Sequence, residues 1–381
     1  MLRIKSDKII VGEELFDGYI YIENGKITDV TAEKREADEC YDFTGKYVSP
    51  GFIDSHTHGG GGYSFYDTSA EEVANACNFH LQFGTTTVCP TVSACPYEKI
   101  LFSLKCFKEA KDRGLINSNA LGLHIEGPYL SVAQCGAQPP KHITPPIKKE
   151  YEHIIESYGE YISRWTYAPE NDNDGSFCRY ITSKGIIASA GHTEAKYPDM
   201  KRAIEDGCNL VTHLYSCTST VTRDHGFRSL GVIESTVLRD ELIAELICDG
   251  KHLPPDLIRT VIKIKGTDGV ILTTDSLDMA GVDVKDVNLA DIDYVIEDGV
   301  AKLPDRSAFA GSIATSNVLI RTLTKECGFS IPESVKMLTK NPAKLFALNK
   351  GEIKAEKDAD IIVFNGDINV SDVFVMGKKI K

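Results

Sequence analysis

Histidines and carboxylates recur at six places in the middle of the sequence, each at or just after the end of a short apolar run. In order, these places read Asp54-Ser-His56-Thr-His58, His124-Ile-Glu126, Gly191-His192, His213, Asp249-Gly-Lys-His252 and Asp275. Imidazole and carboxylate groups that converge from separate segments are good ligands for divalent metal ions. Side chains alternate along an extended segment, so the two rings of the His-x-His sequence would point to one side. The pattern therefore predicts a metal site assembled from several segments.

Each of these residues also has a simpler explanation when it is considered alone. A single His-x-His is weak evidence for a metal, and His192 or His213 could be an ordinary hydrogen-bonded polar residue. Glu126 before Gly-Pro, or Asp275 after two threonines, could cap a turn. The metal interpretation depends on the recurrence of such residues at one strand end after another.

The segments that end in these residues alternate with predicted helices. A capping box, Ser69-x-x-Glu72, begins one helix, Gly84 ends it, and a β-branched run follows. Further helices are predicted at about 96–113 and 146–158. Strands are predicted at 47–53, 85–89, 120–125, 164–168, 186–189, 210–213, 243–248 and 270–274.

Eight strands that alternate with helices indicate a (β/α)8 TIM-like barrel, an α/β fold of roughly 250–300 residues. In such a barrel the functional residues lie at the carboxyl ends of the strands, where the histidines and carboxylates are found. A doubly wound sheet is the alternative, but no Gly-x-Gly-x-x-Gly follows any strand.

Both ends of the chain differ from this middle part. Short β segments separated by turns occupy 9–11, 19–22 and 26–30, and similar segments occupy 360–364 and 372–376. We therefore expect a small β-sandwich domain built from residues 1–50 and 350–381, and a catalytic barrel from 51 to 349.

Composition narrows the choice of partners. The chain of 381 residues has 42 basic and 55 acidic side chains, a net charge of −13, so nucleic acid and membrane surfaces are not expected partners. No apolar run approaches the roughly 18 residues of a spanning helix, and the start lacks the features of a signal peptide. Eleven cysteines are scattered without a C-x-x-C. A cytoplasmic protein with reduced, mostly buried cysteines is expected.

The motifs, in their order and spacing, resemble the N-acetylglucosamine-6-phosphate deacetylases of the amidohydrolase superfamily. The matching segments are 50–62, 84–87, 122–129, 168–170, 191–193, 212–215, 249–252, 274–275, 311–312, 341–343 and 351–360. The sequence His-Ile-Glu-Gly-Pro at 124–128 is the most specific, because many other amidohydrolases have a modified lysine where this family has glutamate.

The resemblance implies a role for each matching residue. Glu126, His192 and His213 would bind the main metal ion, with His56 and His58 at a second metal position found in some members. The resemblance further assigns the acid/base role to Asp275, substrate contact to His252, and a loop beside the substrate to Ser312. The implied cofactor is one or two divalent ions per subunit, zinc first, with Fe, Mn, Co or Ni as alternatives. A homodimer is also implied.

Three segments depart from the family pattern. Gly-Ala-His becomes Gly136-Ala-Gln138, so an uncharged amide replaces a substrate-contacting histidine, and nearby His142 could take over a charged role. After the histidine at 213, Asn-Ala-Met becomes Ser216-Cys217-Thr, whose backbone and hydroxyls could contact a phosphate. Arg223 resembles the arginine that reaches a neighbouring subunit's phosphate in this family, but it stands in Arg-Asp-His-Gly where the family has Arg-Glu-Pro-Gly.

These features together predict hydrolysis of the N-acetyl group of an amino-sugar phosphate, giving glucosamine 6-phosphate and acetate from N-acetylglucosamine 6-phosphate. Two alternatives remain open at the level of sequence. The substrate could be the galactosamine epimer or a non-phosphorylated N-acyl compound, because barrel specificity lies in the loops. The chain could also be a catalytically inactive binding protein, although no predicted ligand is missing. The departures at Gln138 and at Ser216-Cys217 predict reduced activity on N-acetylglucosamine 6-phosphate, unless His142 and Arg223 supply the missing substrate contacts.

Overall fold

The computed structural model describes residues 1–282, 286–289 and 292–381. Eight parallel strands, numbered here β1–β8, form the centre of the molecule. Their bounds are Phe52–Thr57, Thr85–Val92, Leu123–Glu126, Ile162–Tyr167, Ile187–Ala190, Leu210–Val211, Ile243–Ile247 and Val270–Thr273. Each pairs in parallel with the next along the chain.

The first and last strands close the ring through their carboxyl ends. Thr57 and Ser276 form a parallel bridge. The His58 amide donates to the Ser276 carbonyl at 2.8 Å, and the Asp275 amide donates to the His56 carbonyl at 2.9 Å. This confirms the predicted barrel, and it places the two ends of the candidate site beside each other.

Helices follow most strands and cover the outside of the barrel. Their bounds are Ala70–Phe79, Tyr97–Asp112, Lys148–Tyr158, Ser176–Ser183, Tyr197–Glu205, Val232–Leu238, Pro255–Lys265, Ser316–Lys325, Ile331–Met337 and Lys340–Leu345. The predicted capping box is present at Ser69 and Glu72. Within the described ranges, no helix is long and apolar enough to cross a membrane. The strands are buried on both faces, as parallel strands covered by helices require.

Strands from both chain ends form one further sheet. It joins Leu2–Val11, Glu14–Glu23, Lys26–Thr31, Glu39–Asp42, Tyr47–Pro50, Ile361–Phe364, Val370–Val375 and Lys378–Lys379. Tyr47–Pro50 pairs with a strand from each end, in parallel with Leu2–Val11 and antiparallel with Ile361–Phe364. The sheet has its own apolar core, which includes Ile4, Ile20 and Phe374. The predicted domain division at residues 50 and 350 stays a prediction.

Three antiparallel units within the described residues were not predicted, and the shortest pairs Gly59–Gly60 with Tyr63–Ser64. A hairpin joins Thr222–Asp224 to Phe227–Ser229. After β8, a four-stranded sheet contains Asp286–Leu289, Ile292–Glu297, Val300–Lys302 and Phe309–Gly311. The Asp298-Gly299 pair has positive φ at both residues, which is the backbone of a two-residue hairpin turn. That dipeptide is the signal from which the sheet could have been found.

Candidate metal centre and active site

A cavity of about 280 Å³ opens at the carboxyl ends of the barrel strands. Its wall includes His58, Glu126, Gln138, His192, His213, Ser216, Cys217, His252 and Asp275, all of them predicted site residues. Phe309 and Ala310, from the sheet after β8, complete one side. The fold therefore brings most of the predicted residues to one place, as strand-end positions in a barrel should.

Two groups of potential metal ligands share the carboxylate of Glu126. The first is Glu126, His192 and His213, and the second is His56, His58 and Glu126. In the first group, Oε1 of Glu126 lies 3.2 Å from His192 Nε2 and 3.0 Å from His213 Nε2. In the second, His58 Nε2 lies 3.2 Å from Oε2 of Glu126 and 3.2 Å from His56 Nε2. All five side chains are buried.

The outer nitrogen of each imidazole already has a partner, which leaves Nε2 facing the centre. His192 Nδ1 donates to the Gln134 carbonyl at 2.9 Å, and His213 Nδ1 donates to the Ser216 carbonyl at 3.1 Å. Partners of this kind fix the tautomer and the orientation of metal-binding histidines. Convergent Nε2 atoms around a shared carboxylate fit a divalent ion with nitrogen and oxygen ligands.

His56 contacts a buried ion pair that was not predicted from the sequence. Its Nδ1 lies 3.2 Å from Oε1 of Glu245, on β7. Both carboxylate oxygens of Glu245 also accept from Arg164, on β4, and all three side chains are fully buried. Burial raises the pKa of Glu245, but the charge of Arg164 outweighs it and holds that pKa well below its ordinary value. A glutamate inside the apolar run Ile-Ala-Glu-Leu-Ile was the available signal.

The carboxylates of the site are strongly biased towards ionisation. Burial raises the pKa of Glu126, but His56, His192 and His213 outweigh it and hold the pKa well below the ordinary value. Burial likewise raises the pKa of Asp275, but His56 and His58 outweigh burial, so this pKa lies below its ordinary value. Burial lowers the pKa of His56, yet Glu126 and Asp275 raise it to about 10. Two buried carboxylates thus require positive charge beside them, which a divalent cation also provides.

The backbone is left-handed at three of the strand ends that carry site residues. His192, His213 and Asp275 have φ values of 47°, 28° and 47°. Such values are uncommon for residues other than glycine, and they concentrate at functional sites where the surrounding structure holds them. For Asp275, the amides of Asp275 and Ser312 supply that support, bonding to the carbonyls of His56 and Asp275 respectively, each at 2.9 Å.

His252 lines the cavity and is oriented by a carboxylate on its own loop. Its Nδ1 donates to Oδ2 of Asp249 at 2.8 Å, while Oδ1 of Asp249 accepts from the backbone amides of Lys251 and His252. The ring meets the edge of Phe309, with 5.0 Å between centroids. Since Asp249 occupies Nδ1, Nε2 is the nitrogen left for another partner.

The other predicted substrate contacts fall into two sets. Gln138, Ser216 and Cys217 line the cavity. Gln138 is buried, however, and its Nε2 donates to Oε2 of Glu126 at 2.7 Å, a contact that the sequence did not predict.

Three of the predicted substrate contacts lie outside the cavity wall among the described residues. His142 is half-buried in the turn Pro140–His142, and Arg223 is exposed on the hairpin. Ser312 is fully buried behind Asp275. His124 is also internal: its ring nitrogens contact Thr91 and Thr166. The hydrogen-bonded role that was considered for His192 and His213 therefore applies to His124.

Comparisons with known proteins agree with this geometry. The N-acetylglucosamine-6-phosphate deacetylase of Bacillus subtilis (strain 168) is 29% identical over 378 residues, 97% of this chain and 94% of the relative. The N-acetylgalactosamine-6-phosphate deacetylase of Shewanella sp. (strain ANA-3) is 29% identical over 368 residues, 96% of this chain and 90% of the relative. Both relatives therefore match this chain over nearly its whole length.

A solved structure is also similar to this chain over nearly its whole length. It is a mutant N-acetyl-D-glucosamine-6-phosphate deacetylase from Mycobacterium smegmatis in complex with N-acetyl-D-glucosamine-6-phosphate. It matches with a TM-score of 0.92 and 27% identity, covering 99% of this chain and 98% of that one. The sequence also matches the amidohydrolase family profile over residues 47–380. Because that match covers most of the chain, the protein belongs to the amidohydrolase family.

Proposed function

We propose that the protein is a metal-dependent deacetylase that hydrolyses N-acetylglucosamine 6-phosphate to glucosamine 6-phosphate and acetate. The observation that carries the proposal is the convergence of Glu126, His192, His213 and Asp275 in one cavity at the carboxyl end of the barrel. Near full-length similarity to deacetylases of amino-sugar phosphates supports the choice of substrate.

Glu126, His192 and His213 would hold one divalent ion, and His56 and His58 with Glu126 would hold a second. Zinc is our first choice, because zinc readily accepts imidazole and carboxylate ligands. When bound, such an ion polarises the acetyl carbonyl and lowers the pKa of water from 15.7 to about 7.

Asp275 is the acid/base of the proposed reaction. Its Oδ1 lies 3.3 Å from Nε2 of both His56 and His58, and the residue lines the cavity. Its ionised carboxylate takes a proton from the attacking water as the oxygen bonds to the acetyl carbon. Asp275 then returns that proton to the nitrogen as the C–N bond breaks, so the amine and acetate leave.

The remaining cavity residues would bind the sugar phosphate. His252, fixed through Nδ1 by Asp249, would donate or accept through Nε2 at the substrate. Ser216 and Cys217 would contact the phosphate through backbone amides or side chains. Arg223 lies on the exposed hairpin, so we place it in the site of a second subunit of a homodimer. We also propose a cytoplasmic location, which the eleven free cysteines support.

A specific observation favours a second substrate. The Shewanella relative carries the galactosamine name and is as similar to this chain as the Bacillus relative is. Overall identity therefore does not separate the two epimers, and Gln138 and Ser216-Cys217 depart from the family pattern near the substrate. The galactosamine 6-phosphate compound is the second candidate.

The test is acetate release by purified protein loaded with Zn²⁺ or Mn²⁺. The panel contains N-acetylglucosamine and N-acetylgalactosamine, each with and without the 6-phosphate. We expect activity on a 6-phosphate compound, its loss after chelation, and its loss in His192→Ala. Activity that survives both chelation and His192→Ala would overturn the metal-dependent mechanism.

A further inference from the structure

The segment from Ser131 to Gln138, called here the 131–138 segment, lies against two candidate metal ligands. The carbonyl of Gln134 accepts from Nδ1 of His192 at 2.9 Å. At the end of the segment, the amide of Gln138 reaches Glu126. One loop thus contacts the outer side of both residues.

Both ends of the Gln138 amide are committed to the protein. Its Oε1 accepts from the Ala94 backbone amide at 2.8 Å, and its Nε2 donates to Oε2 of Glu126 at 2.7 Å. The residue is only 6% exposed. Since a buried backbone amide needs a partner, replacing Gln138 leaves the Ala94 amide unsatisfied, and it removes from Oε2 of Glu126 a partner that lies closer than Nε2 of His58.

The contact with Glu126 determines which way the carboxylate faces. Oε1 is directed at Nε2 of His192 and of His213, whereas Oε2 accepts from Gln138 at 2.7 Å. Nε2 of His58 also lies 3.2 Å from Oε2. A carboxylate can rotate about its terminal bond, and that torsion has a broad energy profile. A fixed donor on Oε2 restricts this rotation and keeps Oε1 with the two histidines.

The segment has little freedom to move away from the site. Gly136 has φ of 57°, and a Cβ at this position would lie 2.4 Å from Sγ of Cys217. The backbone N–H of Gln138 also donates to the Cys135 carbonyl at 2.9 Å. The 131–138 segment is therefore tightly folded against the loop that follows β6.

We propose that Gln138 is a positioning residue of the metal centre, which holds Glu126 in the orientation that binds the ion. The family resemblance places a substrate-contacting histidine here, so this chain uses the position for a different purpose. The inference rests on the proposed function, since it requires that Glu126 binds a metal.

The experiment measures metal affinity without substrate. Wild type, Gln138→Met and Gln138→Asn are stripped of metal, and Zn²⁺ binding is measured by competition with a chromogenic chelator. Methionine keeps the length without the donor, and asparagine keeps the amide but is one methylene too short. Gln82→Met, on the exposed surface, is the matched control. We expect both Gln138 variants to bind Zn²⁺ about 10-fold to 100-fold more weakly, and the control to match wild type.

Folding and substrate binding are measured separately. Circular dichroism and thermal unfolding of the metal-free proteins show whether each variant folds, and the asparagine variant serves if the methionine variant does not. At saturating Zn²⁺ we expect KM for the 6-phosphate substrate to stay near the wild-type value. A folded variant with unchanged Zn²⁺ affinity overturns the inference, and a raised KM would then assign Gln138 to the substrate. Wild-type protein without Zn²⁺ affinity would instead overturn the proposed function.

Discussion

Asp275 and Glu126 are both buried carboxylates beside histidines, yet they have different surroundings. The Asp275 side chain is 12% exposed, whereas that of Glu126 is 2% exposed. Glu126 has partners on both oxygens, while Asp275 contacts Nε2 of His56 and of His58 through Oδ1. Glu126 is therefore suited to hold an ion in a fixed geometry, and Asp275 is suited to exchange a proton with a group in the cavity.

This difference predicts the effect of Asp275→Asn. The amide is nearly isosteric, so we expect the variant to fold and to bind metal as wild type does. It cannot accept the proton of the attacking water, so we expect kcat to fall about 10²-fold to 10⁴-fold. Steady-state kinetics and elemental analysis on the same preparation check both statements. A decrease in kcat below about tenfold would remove Asp275 from the acid/base role.

Elements of the barrel were predictable where local signals were strong. Gly114 and Pro96 bracket a helix that was predicted at 96–113 and is found at Tyr97–Asp112. The sixth strand was predicted to continue to His213 but ends at Val211. Its early end has a physical cause, because His213 is left-handed and directs its ring towards Glu126. The position that His213 takes in the site therefore outweighs the tendency of residues 210–213 to form an extended strand.

Elements outside the barrel pattern were less predictable. The sheet after β8 was not predicted because its strands do not alternate with helices, although Asp298-Gly299 is a local hairpin signal. The contact of Gln138 with Glu126 depends on the path of the whole 131–138 segment, which no local pattern specifies. Long-range contacts of this kind could not be read from a single sequence.

The ion pair between Arg164 and Glu245 links strands β4 and β7 across the barrel interior, and it predicts the effect of Arg164→Met. The substitution leaves a fully buried carboxylate without its cation, so we expect the free energy of unfolding to fall by about 3–5 kcal/mol. Arg179→Met is the matched control, because the Arg179 side chain is 54% exposed in its pair with Asp206. A surface pair contributes about 0–1 kcal/mol. Urea unfolding of both variants measures the difference, and equal losses would contradict the argument.

At the scale of the whole molecule, the hairpin at 222–229 stands apart from the cavity. Phe227 is 80% exposed, and Arg223 is also exposed. Phenylalanine and arginine are both enriched at protein–protein interfaces. In the proposed homodimer, this hairpin would bring Arg223 to the phosphate bound in the partner's cavity, where a guanidinium can form a bidentate contact.

The dimeric site predicts complementation between two subunits that are each impaired by a different substitution. Arg223→Ala should lower kcat/KM for the 6-phosphate substrate by roughly 10-fold to 100-fold, since a charge-assisted hydrogen bond contributes about 1.5–3 kcal/mol. When Arg223→Ala and Asp275→Asn subunits are mixed and allowed to exchange, one site of each heterodimer has an intact Asp275 and an arginine from its partner. Activity should therefore rise above that of either variant alone. Light scattering gives the mass in solution. A monomeric mass for the protein, together with an undiminished kcat/KM in Arg223→Ala, would contradict a site shared between subunits. A mixture without recovered activity would also contradict it, because each subunit would then have to bind the phosphate with its own residues.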